Sequence, residues 1–144
     1  MTTRARPTQD LSCAYIKEHA VTSGQTVTLY GAVKATASHD DEVTPIGATT
    51  DNPLGIALDA GVGASGARVR VAYLGRGVVP VVIGAAGATR GAGAKYSAAG
   101  TLTDATAGGG TTHCAILGQF VESGVSGDII GLNLGAAAPF AVGS

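Results

Sequence analysis

Hydrophobic positions along the chain recur with a period of two, in short runs broken by Gly, Asn, Asp and Pro. TVTLY (26–30), GIALDA (55–60), ARVRVAYL (67–74), VVPVVI (78–83), AKYS (94–97), TLT (101–103), CAILGQFVES (114–123) and DIIGLNL (128–134) read as strands. Successive side chains of a strand point to opposite faces. In ARVRVAYL this puts Arg68, Arg70 and Ala72 on one side and Val69, Val71 and Tyr73 on the other. CAYI, near residue 15, reads as a further short strand. Pro45, Pro53 and Pro80 are expected at strand starts, edges or turns, since proline has no N–H for the ladder. Short strands with turns about every 8–12 residues predict an all-β fold, a small barrel or sandwich.

The pattern occurs twice. LGIALDAGVGASGARVRVAYLG (54–75) aligns with LGQFVESGVSGDIIGLNLG (117–135). Leu-Gly opens both, Asp59 matches Glu122, Gly61-Val62 matches Gly124-Val125, and Ser65-Gly66 matches Ser126-Gly127. Val69, Val71 and Tyr73 then correspond to Ile130, Leu132 and Leu134. Upstream, GQTVTLYGAVKAT (24–36) is set against GAGAKYSAAGTLT (91–103), with Tyr30 opposite Tyr96. The expected organisation is an N-terminal arm (1–20), a duplicated β domain (21–135, copies about 24–75 and 91–135) and a C-terminal tail (136–144). A single duplication is not a solenoid, which requires at least about three repeats.

Composition narrows what such a domain does. Aromatics are 4% of the 144 residues, tryptophan is absent and glycine occurs 23 times, so the core is built from Val, Ile, Leu and Ala. Charged residues are 13%, against about 25% in ordinary domains. The resulting Thr/Ser/Gly/Ala surface suits a protein that lies against other proteins. A formal net charge of −1 argues against a nucleic-acid binder. No acid occurs between Ala60 and Thr103, and there Arg68, Arg70 and Arg76 form a candidate charged interface stripe. The longest apolar run, VVPVVIGAAGA, is too short for a membrane span. The two cysteines, Cys13 and Cys114, make no disulfide framework, and no secretory signal is visible. A soluble protein made in a cytoplasm is expected.

Candidate chemistry is thin. GVGASG (61–66) matches the G-x-G-x-x-G expression, but a strand pattern follows it where a dinucleotide loop needs a helix, and no acid occurs before Asp104. It reads as a hairpin connection. His39-Asp40-Asp41-Glu42 lacks the spacing of a cation loop and reads as an exposed acidic turn. Cys13, His19, His113 and Cys114 match no zinc spacing, and neighbours His113 and Cys114 point to opposite faces of a strand. No catalytic, cofactor-binding or metal-ligating residue is assigned.

The succession SGQTVTLYGAVKAT, PLGIALDAGVGASGARVRVAYLGRG, GAKYSAAGTLTDAT and AILGQFVESGVSGDIIGLNL resembles the small capsid cement, or head decoration, proteins of tailed bacteriophages over roughly residues 21–135. The resemblance implies a non-enzymatic virion protein on the capsid exterior, with the major capsid protein and itself as partners. Such proteins usually sit as homotrimers at three-fold and quasi-three-fold positions and clamp capsid subunits together. Neither nucleic acid nor membrane is an expected partner. The arm, with Arg4, Arg6, Leu11, Tyr15 and Ile16, is expected to bind the capsid by adding a strand to an exposed edge. The competing readings are another virion β module (a tail or fibre domain), a small enzyme using Cys114 or His113, and a carbohydrate-binding β domain, which the scarcity of aromatics disfavours.

Overall fold

In the computed structural model, residues 9–37, 39–48, 51–97, 100–105 and 116–135 are described. The first half contributes β1 (Ile16–Val21), β2 (Thr26–Val27), β3 (Ala32–Ala35), β4 (Glu42–Pro45), β5 (Gly55–Ala57), β6 (Gly61–Val62) and β7 (Arg68–Tyr73). The second contributes β8 (Val78–Val82), β9 (Gly93–Tyr96), β10 (Leu102–Asp104), β11 (Gly118–Phe120) and β12 (Ile129–Asn133). The fold is all-β, as the period-two pattern predicts. Four strands fall outside the runs read from the sequence: β1, β3 and β4, which carry lysine, glutamate or histidine, and the two-residue β6 inside the GVGASG connection.

Strands β1-β4-β3-β5-β7 close into a barrel, and β10-β9-β11-β12-β8 form a second sheet in which the same pairing plan recurs. In the first half β3 pairs with β4 and β5, and β5 and β1 both pair with β7, all antiparallel. In the second half β9 pairs with β10 and β11, and β11 and β8 both pair with β12, again antiparallel. The parallel closure Val21↔Val43 between β1 and β4 has its counterpart in the parallel bridge Ile83↔Leu102. Even the two-stranded β2-β6 ribbon, with Val27↔Gly61, is matched by the bridge Ala88↔Gly124. The pairing plan therefore opens at β1 and at β8, not at residues 24 and 91.

The register also moves one expected equivalence. Tyr30 N–H donates to the Ala57 carbonyl at 2.8 Å, and Gly91 N–H donates to the Phe120 carbonyl at 2.8 Å. Tyr30 thus corresponds to Gly91, not to Tyr96. Both carry positive φ, 60° and 87°, a conformation that glycine adopts freely and tyrosine only at a cost of about 1 kcal/mol or more.

Equivalent inward positions fill the two halves. Val21, Val27, Val33, Val43, Ala57, Val69 and Val71 form the core of the first barrel. Their counterparts Ile83, Ala88, Ala94, Leu102, Phe120, Ile130 and Leu132 lie in the larger core of the second half. That larger core extends onto the outside of the first barrel, where Ala32, Ile56 and Ala72 stand in one cross-strand row. The halves are thus joined through hydrophobic contact. Pro80 is buried within β8 opposite Gly131, whose N–H and carbonyl are engaged by Glu122 and Val121 on the β11 side. The ladder asks for no N–H at Pro80, which is how proline is tolerated inside a strand.

Candidate functional site

The expected arm ends inside the barrel. Ile16–Val21 is β1, bonded along its length to β7 through the register Ile16↔Ala72 to Ala20↔Arg68. Asp10 is also held, exchanging two 2.9 Å backbone hydrogen bonds with Val78. Leu11 is half-buried against the second core, while Tyr15 and Ile16 are exposed by 59% and 36%. Residues 16–20 are therefore not a free arm, because their backbone groups supply the closure of the barrel. Arg4 and Arg6 lie outside the described residues, as do His113 and Cys114.

At the β1 end of the first barrel, inward alternation brings together groups that the sequence pattern did not single out. His19, opposite Val69, is buried. Its Nδ1 lies 3.3 Å from the Asp41 carbonyl oxygen, an acceptor, so Nδ1–H donates there. Nε2, 2.5 Å from Tyr73 Oη, then accepts the tyrosine hydroxyl proton in the neutral ring. The Tyr15 ring meets Tyr73 edge-on, with centroids 5.0 Å apart. Burial pushes the Tyr73 hydroxyl pKa upward, and electrostatic interaction with its neighbours Tyr15 and Asp41 adds to that. In the second half Val81 stands where His19 does and Leu134 where Tyr73 does, both buried in hydrocarbon. One signal was available in the sequence: IKEHAV alternates Lys17, His19 and Val21 on a single face.

This hydrogen-bonded pair has a measurable consequence. Tyr73→Phe leaves the buried His19 Nε2 without its tyrosine partner and is expected to cost about 1–3 kcal/mol in a urea melt. His19→Val with Tyr73→Leu, the residues of the second half, removes both polar groups and should recover most of that loss. A Tyr73→Phe protein as stable as the parent would show that the bond contributes nothing.

The arginine stripe is neutralised by acids from neighbouring strands and loops. Arg68 Nε donates to Glu18 at 2.6 Å and its Nη1 to Asp41 at 3.0 Å. Arg70 grips Asp59 through Nε at 3.0 Å and Nη2 at 2.9 Å. Hydrogen bonds from Arg68 and Arg70 hold the Asp41 and Asp59 carboxyls below their ordinary pKa. Arg76 stands apart and exposed in the β7–β8 turn. The expected stripe thus resolves into two ion-paired arginines and one separate charge. Asp41, read as part of an acidic turn, faces Arg68, and no group of three metal-ligating side chains occurs among the described residues.

The GVGASG stretch forms β6, one 3-10 turn (Gly63–Ser65) and a left-handed Gly66 that leads directly into β7. A Cβ on Gly63 would strike the Thr22 carbonyl, so this glycine serves a close backbone approach. What the described surface presents instead is the exposed Tyr15, its ring edge-on to Tyr73 of the satisfied polar pair, with exposed Ile16 next to it on the opposite face of the strand. An exposed aromatic of this kind can anchor a protein contact.

No protein-family pattern and no curated protein sequence matches the chain. Among solved structures, the chain is similar to the head fiber gp8.5 N base of bacteriophage phi29. The TM-score is 0.63 at 16% identity, covering 83% of this chain and 94% of that one. At that identity the likeness is one of fold.

Proposed function

We propose that this protein is a structural component of a tailed-phage particle, bound to the outer surface of the head. The observation that carries the reading is the fold likeness to a phage head-fibre base over most of both chains. The small-residue, weakly charged composition agrees with it, since interface cores are depleted in charge. Within this reading two roles compete. A cement protein reinforces the shell in many copies, with the major capsid protein as its partner and a homotrimer as its unit; a fibre base seats an appendage on the same surface. The fold neighbour favours the second at least as strongly as the first. In either role the protein is made in the host cytoplasm and works by binding, not by catalysis.

The test is binding to purified heads assembled without the protein. Saturable occupancy is expected, and imaging of the saturated heads separates the roles: a compact layer for cement, projecting appendages for a fibre base. Removing residues 1–8 should weaken occupancy at least about tenfold, with the melting temperature followed in parallel as the control for folding; the first strand pairing among the described residues is the bridge at Asp10. Full occupancy by the shortened chain would sink the proposed role of Arg4 and Arg6.

A further inference from the structure

The two halves allow the chain to be compared with itself. Of the seven interior pairs, from Val21/Ile83 to Val71/Leu132, not one keeps the same residue. The pairs that stay identical lie elsewhere, and most have a reason inside the fold. Gly55 and Gly118 each face a neighbouring carbonyl that a Cβ would strike. Gly61 and Gly124 are crowded by Val69 and Ala67 in one half and by Ile130 and Asp128 in the other. Gly66 and Gly127 carry φ of 72° and 89°.

Val62 and Val125 have no such reason. Each is 47% exposed, among the five large hydrophobic residues most open to solvent. A threonine would supply the same β-branching at either position with one exposed methyl fewer. Both tips are nevertheless locked in place. Ser65 Oγ donates to the Val62 carbonyl at 2.9 Å, and Val125 N–H donates to Asp128 at 3.0 Å. The surroundings agree as well. Exposed Ser23, Gln25, Thr26 and Ser65 flank the first tip and exposed Ala85, Ala86 and Ser126 the second; none of these is charged, and the Asp128 carboxylate that holds the second tip is buried.

We infer that Val62 and Val125 are two equivalent contact points for a partner that offers the same uncharged, apolar socket twice, namely adjacent copies of one protein in a repeating shell. An uncharged tip of small residues suits the close approach of another backbone and has nothing with which to hold phosphate or an anionic membrane. Two engaged tips on one rigid chain reinforce each other, because the second binds at the effective concentration set by the first. This inference rests on the head-surface reading and deepens it.

The test titrates Val62→Thr, Val125→Thr and the double variant onto purified heads assembled without the protein; threonine is isosteric with valine, so folding is retained. Val62→Lys and Val125→Lys form a second set, checked for unchanged melting. Each threonine is expected to weaken binding about threefold to tenfold, and the double variant by at least the product. Each lysine should weaken it about a hundredfold. Parent binding left intact by all variants overturns this inference and leaves the head-surface reading standing. Loss at one tip alone overturns the two-contact form. A parent protein that does not bind heads overturns both.

Discussion

Gly55→Ala is expected to destabilise the protein by at least about 3 kcal/mol, lowering the melting temperature by roughly 10 °C in a thermal scan. Gly55 lies in β5 between Val33 of β3 and Tyr73 of β7. A Cβ built there falls onto the Ala72 carbonyl and comes within 3.0 Å of the Tyr73 Cα. Both obstacles are backbone, held by the ladders that close the barrel, so no side chain can swing away. Gly118→Ala should do the same in the second half, where the Cβ meets the Asn133 carbonyl. Gly47→Ala serves as the control, since its Cβ finds only an Asp51 carboxylate oxygen at 3.9 Å. If Gly55→Ala melts within a degree or two of Gly47→Ala, the close approach is not structural.

Phe120→Ala should be about as severe, at roughly 3–5 kcal/mol. Phe120 heads the fully buried side chains by volume, and its counterpart in the first barrel is Ala57. One half thus centres on a phenyl ring while the other has a methyl group in the same place, so the two interiors are filled by different means. Deleting the ring opens a cavity that surrounding valines and leucines fill only in part. Because the same core reaches Ala32, Ile56 and Ala72 on the first barrel, the loss should spread. A single transition shifted to lower denaturant is expected, with hydrogen-exchange protection reduced in both halves. Phe120→Leu should cost less than half as much. A protein that loses only β8–β12 while β1–β7 stays protected would show that the two cores are energetically separate.

These two positions also show what was legible in advance. Leu-Gly at 54–55 and 117–118, the shared Gly-Val and Ser-Gly pairs and the matched alternation of 69–73 with 130–134 were all visible as a repeat. The hairpin reading of GVGASG was visible because a strand, not a helix, follows it. The first strand was not. IKEHAV carries charge at the adjacent Lys17 and Glu18, and its partners β7 and β4 are distant in sequence, so no local pattern marks it as a barrel stave. The equivalence of Tyr30 with Gly91 was hidden for a related reason: only hydrogen-bond register reveals a shared positive φ. Arg68 and Arg70 share one face of ARVRVAYL, as alternation alone implies, but their neutralisation by Glu18, Asp41 and Asp59 depends on neighbours that tertiary contact supplies.

By itself the sequence determined the fold class, the repeat and the low-charge, small-residue surface, because period, turn chemistry and composition are local properties of a chain. Tertiary structure alone decided that residues 16–20 close a barrel, that His19 meets Tyr73 above Tyr15, and that Val62 and Val125 remain exposed at equivalent tips. Those outcomes depend on which distant strands pair and in what register. A one-residue slip there would turn every side chain to the opposite face, and no single stretch of sequence carries that information.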